Sequence, residues 1–289
     1  MKIGVVYPQM ESGADPSHAG RFAKAVEDLG FDYLLVTDHP LGAVHADRTP
    51  PLAGDTDETH TFHDPFVLLG YLAGITERID FATGVLVLPQ RQTVLVARQA
   101  ADVDLLSGER LRLGVGVGWN PVEFEALGQD FKTRGARQEE QIELLRTLFT
   151  EPVVDFSGRF DRVDRAAINP RPTRVIPIWS GGFGERAWDR AARLSDGFIF
   201  WGSTAIEDAV KILADMRERV RTKGRSADDF GGEYTSLKHR ENSLIAEADA
   251  WRAAGGTHFA VSTLDFGLGK NIDAHIDYIT AVAKDLALS

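Results

Sequence analysis

Short runs of β-branched and apolar residues alternate with longer stretches of helical periodicity from one end of the chain to the other, and few folds accept such a sequence. The runs are Lys2 to Tyr7, Tyr33 to Thr37, Ile79 to Leu86, Leu111 to Val117, Ile176 to Ser180, Gly197 to Trp201, Gly232 to Leu237 and His258 to Ser262. Parallel strands need a crossover long enough to hold a helix, so strand and helix in strict alternation imply βαβ units around one parallel sheet. The intervening stretches carry helix punctuation. Asp15-Pro16-Ser17 opens one that ends at Leu29-Gly30, and Asp64-Pro65 opens the next. Thr93 to Leu106 is closed by Ser107-Gly108; Arg137 to Phe149, Glu185 to Leu194, Ala205 to Val220, Ser243 to Ala254 and Ile272 to Leu286 complete the set. Eight strands with eight helices are the ingredients of an α/β fold of one kind, the (β/α)8 TIM barrel.

The 289 residues fit that barrel as a single domain spanning 1–289. Two connections exceed the usual two to six residues or so. Pro40 to His63 follows the second run, on the face where barrel enzymes place their active-site loops, and reads as a lid or substrate loop. Glu151 to Val175, before the fifth strand, contains VVDFSGRFDRV and reads as an inserted β-hairpin. A net charge of -11 argues against nucleic acid or an anionic membrane surface as partners. The absence of cysteine removes disulfides, thiolate metal sites and a cysteine nucleophile. MKIGVVYPQ lacks the apolar core of a signal peptide, and no apolar run approaches the roughly 20 residues that span a bilayer. A cytoplasmic protein is expected.

Chemistry concentrates where strands end. Asp38-His39 closes the second run in LLVTDHP, and a residue there faces the barrel mouth; histidine changes charge near neutrality and can move a proton. The same dipeptide also reads as a loop cap beside a packed polar residue. Gly84 interrupts an otherwise β-branched third run, which signals a bulge, a close backbone approach or simple packing. Gly114, Gly116 and Gly118 alternate along the fourth run, leaving one face of bare backbone that admits a ring, and Trp119 follows. GVGVGW matches neither a P-loop nor G-x-G-x-x-G. Ser180, Gly181 and Gly182 precede a helix opening at Glu185, an arrangement that offers free N–H groups to a phosphate or makes an ordinary turn. His45, His60 and His63 lie in the long loop without a metal-binding spacing, so no metal is expected. G-x-S-x-G is absent, so a serine hydrolase is unsupported. Arg48, Arg91, Arg134, Arg137, Lys238, Arg240 and Lys270 fall in or near loops, as solvated charges or as partners for an anionic tail.

Taken with HDPFVLLGYLAGITERIDFATGVLVLPQRQTVLVARQAADVDLLSGERLRLGVGVGWNPVEFEALG and IWSGGFGERAWDRAARLSDGFI, these segments resemble the luciferase-like monooxygenase superfamily, and within it the branch of coenzyme F-420-dependent oxidoreductases. The resemblance spans nearly the whole chain. It implies a deazaflavin ring in the barrel mouth, backed by a bulge with a non-prolyl cis peptide at Gly84-Val85. It also implies His39 near the reacting carbon with Asp38 beside it, and the cofactor phosphate at Ser180, Gly181 and Gly182. Gly116 and Gly118 join the cofactor set as bare backbone, and Trp119 and Trp201 are expected to form the substrate pocket. In sugar-phosphate dehydrogenases of the superfamily a glutamate follows the glycines of the fourth strand; here Trp119 takes that place, which speaks against such a substrate.

The expected function is therefore hydride transfer between coenzyme F-420 and a small organic substrate, with His39, oriented by Asp38, handling the proton. An FMN-dependent monooxygenase on the same barrel is the alternative, and a non-catalytic flavin or deazaflavin carrier is a third reading. The resemblance further implies a homodimer.

Overall fold

The computed structural model of the chain describes residues 1–13, 15–240 and 243–288. Its elements run β1 (Lys2–Val6), α1 (Pro16–Asp28), β2 (Tyr33–Val36), α2 (Pro65–Ala73), β3 (Asp80–Thr83), β4 (Leu86–Val87), α3 (Thr93–Ser107), β5 (Leu111–Gly116), α4 (Pro121–Ala126), α5 (Arg134–Thr150), β6 (Val154–Ser157), β7 (Arg162–Ala166), β8 (Ile178–Gly181), α6 (Glu185–Leu194), β9 (Gly197–Trp201), α7 (Ile206–Thr222), β10 (Gly231–Ser236), α8 (Leu244–Ala253), β11 (His258–Val261) and α9 (Ile272–Asp285). The sheet order is β3-β2-β1-β11-β10-β9-β8-β5-β4, and β3 also pairs with β5. Every neighbour in it is parallel, so the sheet closes as a barrel in which β3 and β4 are two halves of one interrupted strand.

Local chemistry sets the helix ends as the sequence indicates. Asp15 accepts from the Ser17 N–H, Asp64 accepts from those of Phe66 and Val67, and Gly108 ends α3 in the left-handed region at φ 73°. The third strand is split at Gly84-Val85, whose peptide is cis, at the place the resemblance implies. Two details differ from expectation. Helix α5 begins at Arg134, three residues early, because its first turn packs on the preceding 3-10 turn at Phe131. Residues 121–126 form a helix, α4, that an opening Asn120-Pro121 permits: Asn120 accepts from the Val122 N–H and proline needs no partner at the first helical position. The hairpin of β6 and β7 is present, turning over Gly158–Asp161.

The barrel interior is a packed plug. Near the N-terminal ends of the strands, Tyr33 and Trp179 sandwich the Arg112 guanidinium at 5.2 and 4.3 Å, and Arg112 pairs with buried Glu233 at 2.6 Å. Glycines make the room: a Cβ on Gly4 would lie 2.4 Å from the Tyr33 ring, and one on Gly231 would lie 2.2 Å from Trp179. His258 completes this floor, and burial, followed by the nearby charges of Arg112, Lys2 and the N-terminus, holds its pKa down at about 2, so it stays neutral. The charge of Arg112 inside this floor is thus matched by that of Glu233. Among the described residues no helix is long and apolar enough to cross a membrane.

Candidate active site

The opposite end is open. Between Phe81 and Gln90 only Gly84 and Val85 are not fully buried, and Val117, Gly118, Trp119, Gly181, Gly182 and Trp201 are likewise half-buried at their strand ends. These residues, with His39, ring the mouth.

Asp38 and His39 diverge, and the expected orientation of His39 by Asp38 is corrected. Asp38 is buried and turns toward β4, accepting from the Val87 N–H at 2.9 Å and from Arg91 Nη2 at 2.7 Å. Arg91 also reaches the cap of α2, donating to Asp64 at 3.0 Å. Burial lowers the Arg91 pKa, but the carboxylates of Asp38 and Asp64 outweigh it and raise the value, so this residue is a fixed internal cation rather than the surface charge its sequence position suggests. The backbone is thereby clamped just before His39.

His39 is instead held by Glu123. Its Nδ1 lies 2.7 Å from Glu123 Oε1, and Gln90 Nε2 donates to Oε2 at 2.6 Å. With an amide donor on one oxygen, the carboxylate accepts on both, so Nδ1 of His39 carries the proton and Nε2 is left as the basic nitrogen. Glu123 is 1% exposed in the first turn of α4, and Phe62 and Trp119 flank the imidazole with ring centroids at 4.9 and 5.6 Å. This acid was missed in the sequence. Asn120-x-x-Glu123 reads as a capping box, in which the glutamate turns back on its own helix; its place just beyond a strand end at the mouth was the available signal.

The glycines of β5 face protein rather than open space. A Cβ on Gly116 would lie 2.4 Å from Val85 Cγ2, one on Gly118 2.5 Å from Val87 Cγ1, and one on Gly114 1.9 Å from the Thr83 carbonyl oxygen. Their bare faces admit the bulged strand, which corrects the expectation that they admit a ring. Gly181 does the same, since its Cβ would lie 2.7 Å from Val85 Cγ1. Ser180 is buried within β8, between β5 and β9, with its hydroxyl 2.6 Å from that of Ser195. Gly182 and Gly184 have φ of 144° and 82°, and a Cβ on Gly184 would meet nothing within 4 Å, so the approach to α6 is open backbone. Glu185 in its first turn is neutralised by Arg219 at 2.6 Å.

The long loop folds across the mouth and is tied down: Thr61 Oγ1 donates to the Gln9 carbonyl at 2.6 Å, and Gln9 donates to the carbonyl oxygen of Thr37 at 2.6 Å. His45 and His60 are spent within it, on the Thr56 carbonyl and on Asp57. Trp119 lines a cavity of about 730 Å3 beneath residues 47–53. Trp201 is not among that cavity's walls and packs against the cluster that includes Val6, Leu35 and Leu264.

The family described as luciferase-like monooxygenase matches residues 1–237. An uncharacterised protein of Mycobacterium tuberculosis is 36% identical over 219 residues, covering 74% of this chain and 75% of its own. The F-420-dependent glucose-6-phosphate dehydrogenase of Nakamurella multipartita is 32% identical over 221 residues, covering 74% of this chain and 61% of its own. Among solved structures, an F-420-dependent secondary alcohol dehydrogenase, in complex with an F-420-acetone adduct, superposes with a TM-score of 0.78 at 18% identity, covering 97% of both chains.

Proposed function

Because this chain belongs to the luciferase-like monooxygenase family, we propose that it is an oxidoreductase that moves a hydride between coenzyme F-420 and a small organic substrate. The observation that carries the reading is the buried Glu123 on Nδ1 of His39 at the barrel mouth, which prepares Nε2 to take or return a proton. A relative named for F-420 dependence supports the choice of cofactor. The chain's exposed backbone fits such a group: Gly84 and Val85 offer the one uncovered stretch of their strand to a flat ring, and Gly182 and Gly184 leave the head of α6 free for a phosphate. Bound there, a deazaflavin supplies a carbon that accepts or gives a hydride.

The chain's own residues do the rest. Glu123 fixes the tautomer of His39, Gln90 fixes Glu123, and Nε2 receives the proton that a substrate hydroxyl releases as the hydride leaves its carbon. Phe62 and Trp119 exclude water from the imidazole. Asp38 acts through Arg91 and Val87 to hold the strand end, a positioning role.

Titrating the purified protein with coenzyme F-420 and separately with FMN, by quenching of cofactor fluorescence, tests the reading. Micromolar or tighter binding of F-420 with negligible FMN binding is expected. The reverse would favour an FMN-dependent monooxygenase, the second reading that the family's description supports, and binding of neither would sink the site assignment. A His39→Ala variant that binds F-420 and turns over unchanged would remove the proton-transfer role of His39, and F-420 binding by the unmodified chain with no turnover of any substrate would favour the carrier reading.

A further inference from the structure

The cavity beneath the long loop is lined by two arginines that the proton-transfer site does not use. Its walls are Pro50, Pro51 and Leu52 on the loop side, Trp119 and Val122 on the barrel side, and Phe131 with Arg134 at the start of α5; Arg48 also contributes. At about 730 Å3 it has the size of a small-molecule site. One wall, Trp119, also touches the imidazole of His39, so cavity and candidate base share a side chain.

Neither arginine is ion-paired with an acidic side chain among the described residues. Arg48 donates through Nε to the Val44 carbonyl at 2.5 Å. Arg134 is stacked at 3.8 Å over Phe131, donates through Nη1 to the Phe131 carbonyl at 2.8 Å, and keeps a buried Nε without a partner. Each guanidinium is held by one edge and has donors to spare. Arg134 also begins a 17-residue helix whose first turn contains no acid and whose Thr133 makes no side-chain cap, so the positive end of the helix dipole adds to its charge. Burial, then the like charge of Arg190, lowers the pKa of Arg134. Asp47 and Glu125 line the cavity too, but both are exposed whereas the arginines are half-buried, so solvent screens the acids more strongly.

We propose that this cavity binds the carboxylate of an organic-acid substrate, with Arg48 and Arg134 on the anionic group and its apolar body along Trp119, Pro51 and Leu52. The substrate class that follows is a hydroxy acid, or the matching keto acid, whose carboxylate is separated from the reacting carbon by an apolar spacer. Assignment of the ligand as substrate rests on the proposed function; the anion site itself does not. The same anionic chemistry occurs in the tail of coenzyme F-420, and the experiment separates the two sources.

Calorimetric titration of the full chain, with and without coenzyme F-420, uses 4-(1-hydroxyethyl)benzoate and its neutral carboxamide as probes. The carboxylate is expected to bind about tenfold or more tightly than the amide. Arg48→Gln combined with Arg134→Gln removes that preference and leaves amide binding and F-420 binding unchanged, the amide serving as the control for an intact cavity. The doubly lysine-substituted variant retains part of the preference. Equal binding of acid and amide, or a preference that survives the glutamine pair, overturns the site. Loss of F-420 affinity in the glutamine pair assigns the arginines to the cofactor tail and overturns the substrate assignment. Absence of F-420 binding in the unmodified chain, with the acid preference intact, tells against the cofactor reading alone.

Discussion

Exchanging Glu123 for glutamine replaces one carboxylate oxygen with an amide nitrogen while keeping shape and volume, so it isolates the part this residue plays through His39. Gln90 and His39 both donate to the carboxylate. A glutamine has one acceptor oxygen, so it releases the imidazole to the other tautomer or turns an N–H against it. Glu123→Gln is expected to lower kcat by about a hundredfold or more, with KM and the affinity for F-420 unchanged and partial recovery in Glu123→Asp. Steady-state kinetics beside the fluorescence titration check this; a fall in cofactor affinity of the same size would assign Glu123 a structural role instead. Neither the partner nor its role was visible in the sequence, because an acid four residues beyond Trp119 reads as helix punctuation until the strand end and α4 are placed together.

Strand β5 and the interrupted strand β3–β4 are one packing unit. Gly114 and Gly116 of β5 and Gly118 just past its end leave the mouth side of that inner face without side chains, and Thr83, Val85 and Val87 occupy the space at distances a methyl group cannot share. Thr83 Oγ1 also donates to the Gly114 carbonyl at 2.6 Å, locking the two strands at the point where the ladder is broken. Gly114→Ala is the most severe single intrusion, since backbone rather than a pliable side chain stands in its way. Overpacking of a closed core costs about 1–3 kcal/mol or more, so thermal denaturation is expected to show a drop in Tm of several degrees or failure to fold. A melting curve unchanged from the parent would contradict the packing account. The alternation of glycines is legible in the sequence; what fills the space beside them is not, because a missing side chain accommodates a cofactor ring and a neighbouring strand equally well.

At the scale of the whole molecule, the outer helices are not uniformly polar. Val67 and Tyr71 on α2 and Val94, Leu95 and Leu106 on α3 are exposed, two of them at 71% and 76% for Val67 and Leu106. The two helices are neighbours, and Gly70 on α2 and Gly74 just past its end are exposed, so another backbone can approach closely. We propose that a second copy of the chain, presenting the same face, covers it in an isologous two-fold contact. Light scattering after size-exclusion chromatography is expected to give twice the 31.7 kDa chain mass, and Val67→Glu with Leu95→Glu to halve it. A monomer in the unmodified chain would remove the homodimer.

The sequence alone determined the barrel, the positions of its strands and most helix ends, and the split at Gly84-Val85 where its family resemblance placed it. These follow from periodicity, from caps and from glycine, all of which act within a few residues of chain. It also marked His39 as a residue of the mouth, because a strand end is a position along the chain. Only the tertiary structure decided which neighbours that residue has: Asp38, adjacent in the chain, points away to Arg91, while Glu123, 84 residues on, closes on its imidazole. Side chains that alternate in direction along a strand separate sequence neighbours, and the closing of the barrel brings distant ones together.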